Sequence, residues 1–247
     1  ATQDGHSVTM FEASRTLGGR ARRLSGTLPD GREAKLDNGQ HILIGAYGDT
    51  LRLMRQVGVN PEVALQRLPL TMQFPDDEGL QFPDWPAPFD ALAAILKAHG
   101  WRLADKATLL RAALRWRMDG FQCDPSLSVA ALCESISPKV VAELIDPLCV
   151  SALNTPADRA SAQVFLRVMH DSLFGPRGGS NLLLPRVDLS ALLPDAAARW
   201  LELKGVRIHM GTRATLSQPA PTGTAGRWQV NDQVFDTAML ATSASNA

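Results

Sequence analysis

The length, composition and charge of the chain exclude several classes of protein. It has 247 residues, of which 45% are hydrophobic and 20% charged, a balance typical of a globular protein with one large domain or two interleaved ones. Lysine plus arginine equals aspartate plus glutamate, 25 each, so no overall charge indicates nucleic acid as a partner. The chain lacks a run of 18 apolar residues, so we expect no membrane span and a cytoplasmic location.

The cysteines and histidines do not predict a metal centre. The three cysteines lack C-x-x-C spacing, and the five histidines form no H-x-x-x-H pair. We therefore expect no metal, and reduced, mostly buried thiols as in a cytosolic protein.

The segment MFEASRTLGGRARR, residues 10–23, has features of a nucleotide site. A strand predicted over residues 7–11 is followed by Glu12, and an acid there can accept hydrogen bonds from ribose hydroxyls. Gly18 and Gly19 allow close approach of the backbone to a pyrophosphate, and Arg20 can donate charge-assisted hydrogen bonds to phosphate. The alternative is a solvated acid followed by a plain turn and a basic surface run, which Arg22 and Arg23 fit better than Arg20 does.

One element of a dinucleotide site is missing before this segment. A dinucleotide-binding sheet needs a G-x-G-x-x-G loop about 20 residues before the acid, yet only eleven residues precede Glu12.

The predicted elements place strands on both sides of a helical middle. They are hairpins over 28–44 and 68–83, helices from residue 88, one amphipathic helix over 188–204, a strand over 206–210, a hairpin turning at 231–232 and a buried strand over 237–242. The pattern predicts a mixed α/β fold with a sheet domain made of residues 1–46 and 180–247. Residues 47–179 are then a mainly helical insertion.

Residues 105–118 predict a basic amphipathic helix. One face carries the apolar residues Leu109, Leu110, Ala113 and Leu114, and the basic residues Lys106, Arg111, Arg115 and Arg117 lie elsewhere around the helix. Such a helix can rest on anionic lipid, and it can equally be a solvated face of a soluble domain. Peripheral contact with the inner face of a membrane therefore stays open.

Four segments together resemble one protein family. They are VTMFEASRTLGGRARR, LDNGQHILIGAY, LLLPRVDLSALLPDAAARWLELKGVRIHMGT and FDTAMLATSA. In this order they resemble the FAD-dependent amine oxidase and phytoene desaturase superfamily, and within it the squalene-associated flavoproteins of bacterial hopanoid synthesis, the hydroxysqualene dehydroxylases. The resemblance implies a Rossmann-like FAD-binding domain with a substrate-binding insertion.

The resemblance also implies where the missing loop belongs. The first strand and its G-x-G-x-x-G turn would precede Ala1, and a glycine-aspartate segment that closes over the flavin would follow Ala247. We therefore expect a chain truncated at both ends. The alternative is a natural remnant that no longer binds FAD.

Particular residues match the family's cofactor contacts. Glu12, Gly18, Gly19 and Arg20 match the ribose and pyrophosphate contacts, Ala214 the backbone contact to adenine, and Ala241 and Thr242 a strand end near the dinucleotide. Gly39, Gln40 and His41 match the segment beside the isoalloxazine ring. Asp37 and His41 are the candidates for helping a substrate hydroxyl to leave, although a lone histidine is more often a core residue.

The reaction that the resemblance implies is reductive removal of the hydroxyl of hydroxysqualene, which gives squalene with hydride from reduced FAD. The substrate would be a hydrophobic isoprenoid bound in the insertion. One alternative is another flavin enzyme of the superfamily, a carotenoid-type desaturase or an amine oxidase, although the single tyrosine, Tyr47, argues against an aromatic cage. The other is a non-catalytic protein that binds lipid or a partner.

Overall fold

The structure, a computed structural model, describes residues 1–39, 41–76, 78–217 and 227–243. Within these ranges the strands are β1 (Thr9–Glu12), β2 (Arg23–Thr27), β3 (Glu33–Asp37), β4 (Leu43–Ile44), β5 (Leu65–Leu68), β6 (Thr71–Gln73), β7 (Gly79–Gln81), β8 (Leu182–Pro185), β9 (Arg207–Met210), β10 (Leu216–Ser217), β11 (Trp228–Val230) and β12 (Gln233–Phe235). The helices are α1 (Gly48–Gln56), α2 (Pro61–Ala64), α3 (Phe89–Lys97), α4 (Leu103–Met118), α5 (Val129–Leu132), α6 (Pro138–Val140), α7 (Asp146–Leu153), α8 (Ala162–Leu173), α9 (Leu189–Leu192) and α10 (Pro194–Leu203). A π-helical turn, Val141–Ile145, joins α6 to α7. The predicted mixed α/β class is confirmed.

The chain divides into two compact units. The first comprises Ala1–Gln40, Gln56–Val59 and Val187–Ala247, and the second comprises His41–Arg55 and Asn60–Arg186. The assignment of flavin binding to one part of the chain and substrate binding to another stays a prediction.

The first unit is built on a parallel pair of strands, β1 and β9, in which Glu12 lies opposite Met210. The pair is stabilised by aromatic packing, because Phe11 stacks on His209 with 5.1 Å between ring centres and meets the ring of Phe235 edge-on. Strands β2 and β3 form an antiparallel hairpin, and β10, β11 and β12 form a second antiparallel sheet. The predicted turns at residues 29–31 and 231–232 are both confirmed.

The single helix predicted over residues 188–204 is wrong. The structure has two helices, α9 and α10, because the chain leaves helical geometry at Leu193, with φ −146° and ψ −54°. Pro194 explains the break, since a proline ring disfavours helical geometry in the preceding residue while fitting the first turn of a new helix.

The buried strand predicted over residues 237–242 is also wrong. The described part of this segment forms no strand, and the side chains of Met239 and Leu240 are 88% and 57% exposed. An apolar run becomes a buried strand only where a neighbouring strand completes its hydrogen bonds, and no described strand pairs with this one.

The second unit holds a helical core beside two small sheets. Strand β8 pairs antiparallel with both β4 and β5, and β6 and β7 form the hairpin predicted within residues 68–83. Helices α3 to α8 enclose the core, in which the side chains of Phe165, Ile145, Leu166 and Val129 are almost fully buried. None of the helices within the described ranges combines the length and apolar character that crossing a bilayer requires.

The residues predicted to form the apolar face of α4 are not all buried in the structure. Leu109, Ala112 and Trp116 are buried, whereas Leu114 is 58% exposed. The three buried residues follow helical spacing, so the buried face includes Trp116, which stands between Arg115 and Arg117 in the sequence.

Candidate functional site

The candidate site lies at the edge where β1 and β9 both end. Thr212 N donates to Glu12 O at 2.9 Å, and Gly211 N donates to Ser14 O at 2.9 Å. These bonds join the loops that follow the two strands. In open α/β sheets, ligands bind at the carboxyl ends of parallel strands.

The carboxylate of Glu12 is held at this edge with one oxygen free. Its Oε1 accepts a hydrogen bond from Ser14 N at 2.7 Å, and the side chain is half-buried. Its Oε2 has no hydrogen-bond partner among the described residues. A fixed carboxylate with a free acceptor oxygen fits the binding of a ribose hydroxyl.

Two adjacent glycines in the following loop have different roles. Both adopt the left-handed region, with φ +100° at Gly18 and +56° at Gly19. A Cβ on Gly18 would lie 2.7 Å from Ala21 O and 2.9 Å from Pro194 Cγ, whereas a Cβ on Gly19 would meet no described atom within 4 Å. Gly18 therefore lets the loop pack against the start of α10. The open space at Gly19 fits close approach of a ligand to the backbone.

The three arginines after these glycines differ in their partners. Arg20 is exposed and makes no hydrogen bond or ion pair with a described residue. Arg22 Nη1 donates to Thr16 Oγ1 at 2.9 Å, while its Nε is buried without a partner in the described ranges. Arg23 forms an ion pair with Asp188 at 3.0 Å. Of these three guanidinium groups, that of Arg20 is therefore both exposed and without a partner among the described residues, and it remains available to an anionic ligand.

Asp188 binds the arginine that begins β2, directly after this loop. Burial raises the pKa of its carboxyl, but the hydrogen bond from Ala191 N and the Arg23 guanidinium together bring that pKa below its usual range. The hydrogen bond and charge of Asp188 in turn raise the pKa of Arg23. Sequence reasoning missed this residue, although an aspartate just before an apolar helical run is a usual N-cap signal.

Asp37 lies at the same helix terminus. Its Oδ1 accepts a hydrogen bond from Leu189 N at 2.9 Å, so its carboxylate contributes to the start of α9. Gly39 follows in the left-handed region with φ +91°, and its N donates to Asp37 O at 2.9 Å. Gln40 lies outside the described residues.

The remaining predicted site residues are exposed. His41 belongs to the second unit and has no hydrogen bond with a described residue. Ala214 lies in the loop between β9 and β10. Ala241 and Thr242 follow the last described strand, and Thr242 Oγ1 donates to Ser243 O at 3.3 Å. The roles of these residues stay predictions.

A solved structure shares the fold of this chain. A solved structure titled an oxidoreductase from Methanosarcina mazei superposes with a TM-score of 0.65 at 18% sequence identity, covering 96% of this chain and 53% of that one. At this level of identity the likeness shows the fold alone, which is Rossmann-like.

The family follows from the sequence itself. The profile of the flavin containing amine oxidoreductase family matches residues 2–247, so the chain belongs to that family. It is also 25% identical over 224 residues to a hydroxysqualene dehydroxylase from Zymomonas mobilis, covering 86% of this chain and 49% of that protein. The chain thus spans about half the length of these relatives. The resemblance drawn from its motifs is confirmed at the family level.

Proposed function

We propose that this chain is part of an FAD-dependent oxidoreductase of isoprenoid, hopanoid-type synthesis that converts hydroxysqualene to squalene. The observation that carries the proposal is the edge at Glu12, with its free carboxylate oxygen and the open loop at Gly19, in a chain similar to a hydroxysqualene dehydroxylase. Family membership supports a flavin cofactor.

FAD would be held by the residues of this edge. Glu12 would accept a hydrogen bond from a ribose hydroxyl, and the loop at Gly19 with Arg20 would face the pyrophosphate. The backbone at Ala214 would meet the adenine, and Gly39 would pass beside the flavin ring. When bound, reduced FAD supplies the hydride for the reaction.

The chemistry at the substrate is a reductive dehydroxylation. The C–O bond breaks, the oxygen leaves as water after gaining a proton, and hydride forms the new C–H bond. Asp37 and His41 are the candidate proton donors. Asp37 already accepts a bond from the start of α9, whereas His41 has no such bond among the described residues, which favours His41.

The substrate would reach the protein from a bilayer, since an isoprenoid of this size does not dissolve in water. The protein would therefore be cytoplasmic with peripheral contact at the inner membrane face. The second unit would provide an apolar, water-poor substrate site, which protects a reactive intermediate.

The spectrum of the full-length flavoprotein tests the proposal. If the reduced protein is mixed anaerobically with hydroxysqualene, its visible flavin absorbance should return. A desaturase or an amine oxidase would instead show bleaching of the oxidised flavin with phytoene or an amine. A protein that binds lipid without catalysis would show neither change, and either of these results would contradict the proposal.

A further inference from the structure

Helix α3 carries an apolar face that the described residues leave about half exposed. The residues concerned and their exposed fractions are Trp85 (49%), Phe89 (60%), Leu92 (41%) and Leu96 (55%). We call these four residues the outer face of α3. Phe89, Leu92 and Leu96 follow the i, i+3, i+7 spacing of one helix face.

The opposite face of α3 is buried and, apart from Asp90, apolar as well. Ala91, Ala94 and Ile95 belong to the core of the second unit. Lys97 is the only exposed polar residue within the helix. A surface helix normally presents polar residues to water, and a helix that is apolar all round is normally covered on every side.

Basic side chains border this face. Lys97 Nζ lies 5.8 Å from the centre of the Trp85 ring, so the tryptophan lies alongside α3. Lys106 Nζ donates to Leu96 O at 2.8 Å, which places a second cation at the C-terminal end of the face. Arg102 is exposed at the start of α4, next to Leu103, which is 84% exposed.

The acids in this region do not cancel these cations. Asp84 is paired with Arg177, with 3.1 Å between Oδ2 and Nη2. Asp90 is buried, and burial raises the pKa of its carboxyl. Glu78, whose side chain lies beside Gly100, is paired with Lys139 at 2.6 Å. Within the described residues 84–106 this leaves Asp105 opposite the three basic residues, and hydrogen bonds from Ser137 and from Arg102 N lower its pKa. The border of the face is therefore basic.

We infer that the outer face of α3 docks on an anionic lipid bilayer. Apart from the Trp85 indole, the face offers only carbon, whereas a protein partner usually forms about one hydrogen bond per 100–200 Å² of interface. A bilayer needs none, because its acyl region accepts leucine and phenylalanine, its headgroup region accepts tryptophan, and its phosphates attract lysine and arginine. The inference rests on the proposed function and locates its membrane contact on α3 rather than on the middle of α4.

Vesicle binding by the purified chain, without flavin or substrate, tests the inference separately from catalysis. The chain should sediment with vesicles of phosphatidylcholine and phosphatidylglycerol, and less with phosphatidylcholine alone. Leu92→Glu with Leu96→Glu should weaken binding to the anionic vesicles about tenfold or more, because two apolar contacts are replaced by charge. Since both positions are exposed, circular dichroism should show an unchanged fold.

Arg111→Glu with Arg115→Glu is the matched control. It places the same residues at the same i, i+4 spacing on α4 and changes the net charge by twice as much. It should weaken binding by less than about threefold. Any effect of charge alone would be larger in this control than in the leucine variant.

Contact depth gives a second measurement. Brominated lipid should quench the fluorescence of Trp85, and Trp85→Phe should lose that quenching while still binding vesicles. The inference would be overturned if the wild type did not bind the anionic vesicles or if the leucine variant bound them as well as the wild type. It would also be overturned if the arginine control lost as much binding as the leucine variant. Conversion of a wild-type dimer to a monomer by the leucine variant would overturn it too, because the face would then join two copies of the chain.

Discussion

Asp188 and Arg23 connect the start of α9 to the start of β2. Arg23 Nη1 donates to both carboxylate oxygens of Asp188 at 3.0 Å, and Asp188 Oδ1 also accepts from Ala191 N at 2.9 Å. One carboxylate thus caps a helix and fixes the strand that follows the glycine loop. Both side chains of this pair are largely buried, with 32% of Arg23 and 22% of Asp188 exposed.

Replacement of this carboxylate should destabilise the protein. Asp188→Ala removes an N-cap, so we expect the free energy of unfolding to fall by about 0.5–2 kcal/mol in urea titration. Asp236→Ala is the control, because it breaks the exposed Arg227–Asp236 pair and should cause no measurable change. Equal stability of Asp188→Ala and the wild type would contradict a capping role.

Asp90 should make the protein less stable as the pH rises. Burial raises the folded-state pKa of its carboxyl above the unfolded value, so the folded protein binds this proton more tightly. The corresponding stability is present below the unfolded pKa and is lost as pH rises through the folded pKa. Asp90→Asn keeps an acceptor for Ala91 N, which lies 2.7 Å from Asp90 Oδ1. It should therefore be more stable than the wild type at neutral pH, with the gain disappearing near pH 4.

Asp105→Asn is the control, because its effect on stability at neutral pH should have the opposite sign. Hydrogen bonds from Ser137 and Arg102 N lower the pKa of Asp105, so its stability is present above the unfolded pKa and is lost in acid. This variant should be less stable than the wild type at neutral pH. Urea unfolding at neutral pH and near pH 4 measures both effects. A change in the free energy of unfolding with the same sign in both variants at neutral pH would contradict these assignments.

The two adjacent glycines should respond differently to alanine. Gly19→Ala places an alanine in the left-handed region, where its Cβ meets no described atom within 4 Å. The free energy of unfolding should fall by about 1–2 kcal/mol. Gly18→Ala adds a contact of 2.7 Å with a backbone carbonyl oxygen, so its cost should be clearly larger. Urea unfolding of both variants measures the difference. Equal losses would show that Gly18 does not pack as the structure has it.

Flavin affinity tests the role of Glu12. In the full-length protein, Glu12→Ala should weaken FAD binding by about 1–3 kcal/mol, the range for hydrogen bonds to a charged group. Glu33→Ala, in the exposed part of β3, should leave affinity unchanged. Titration of the apoprotein with FAD gives both values, and unchanged affinity in Glu12→Ala would remove this residue from the site.

Local patterns explain which features could be predicted from the sequence. The turn at residues 29–31 and the strand before Glu12 follow from glycine, proline and apolar spacing within a few residues. The break before Pro194 was also readable locally and was missed, because a continuous amphipathic pattern outweighed a single proline.

Other features depend on contacts between distant parts of the chain. The apolar run over residues 237–242 gives no sign that it lacks a described neighbouring strand. Asp37 forms its bond with Leu189, 152 positions away, and no spacing in the sequence predicts that partner. The outer face of α3 was missed because leucine and phenylalanine at helical spacing look the same whether they face a core or a membrane.

The product formed from hydroxysqualene tests the central claim most directly. The full-length flavoprotein, reduced and kept free of oxygen, should convert hydroxysqualene to squalene in an amount equal to the flavin oxidised, as measured by gas chromatography with mass spectrometry. Recovery of unchanged hydroxysqualene from a protein that holds its flavin, or desaturation of phytoene in its place, would contradict the claim.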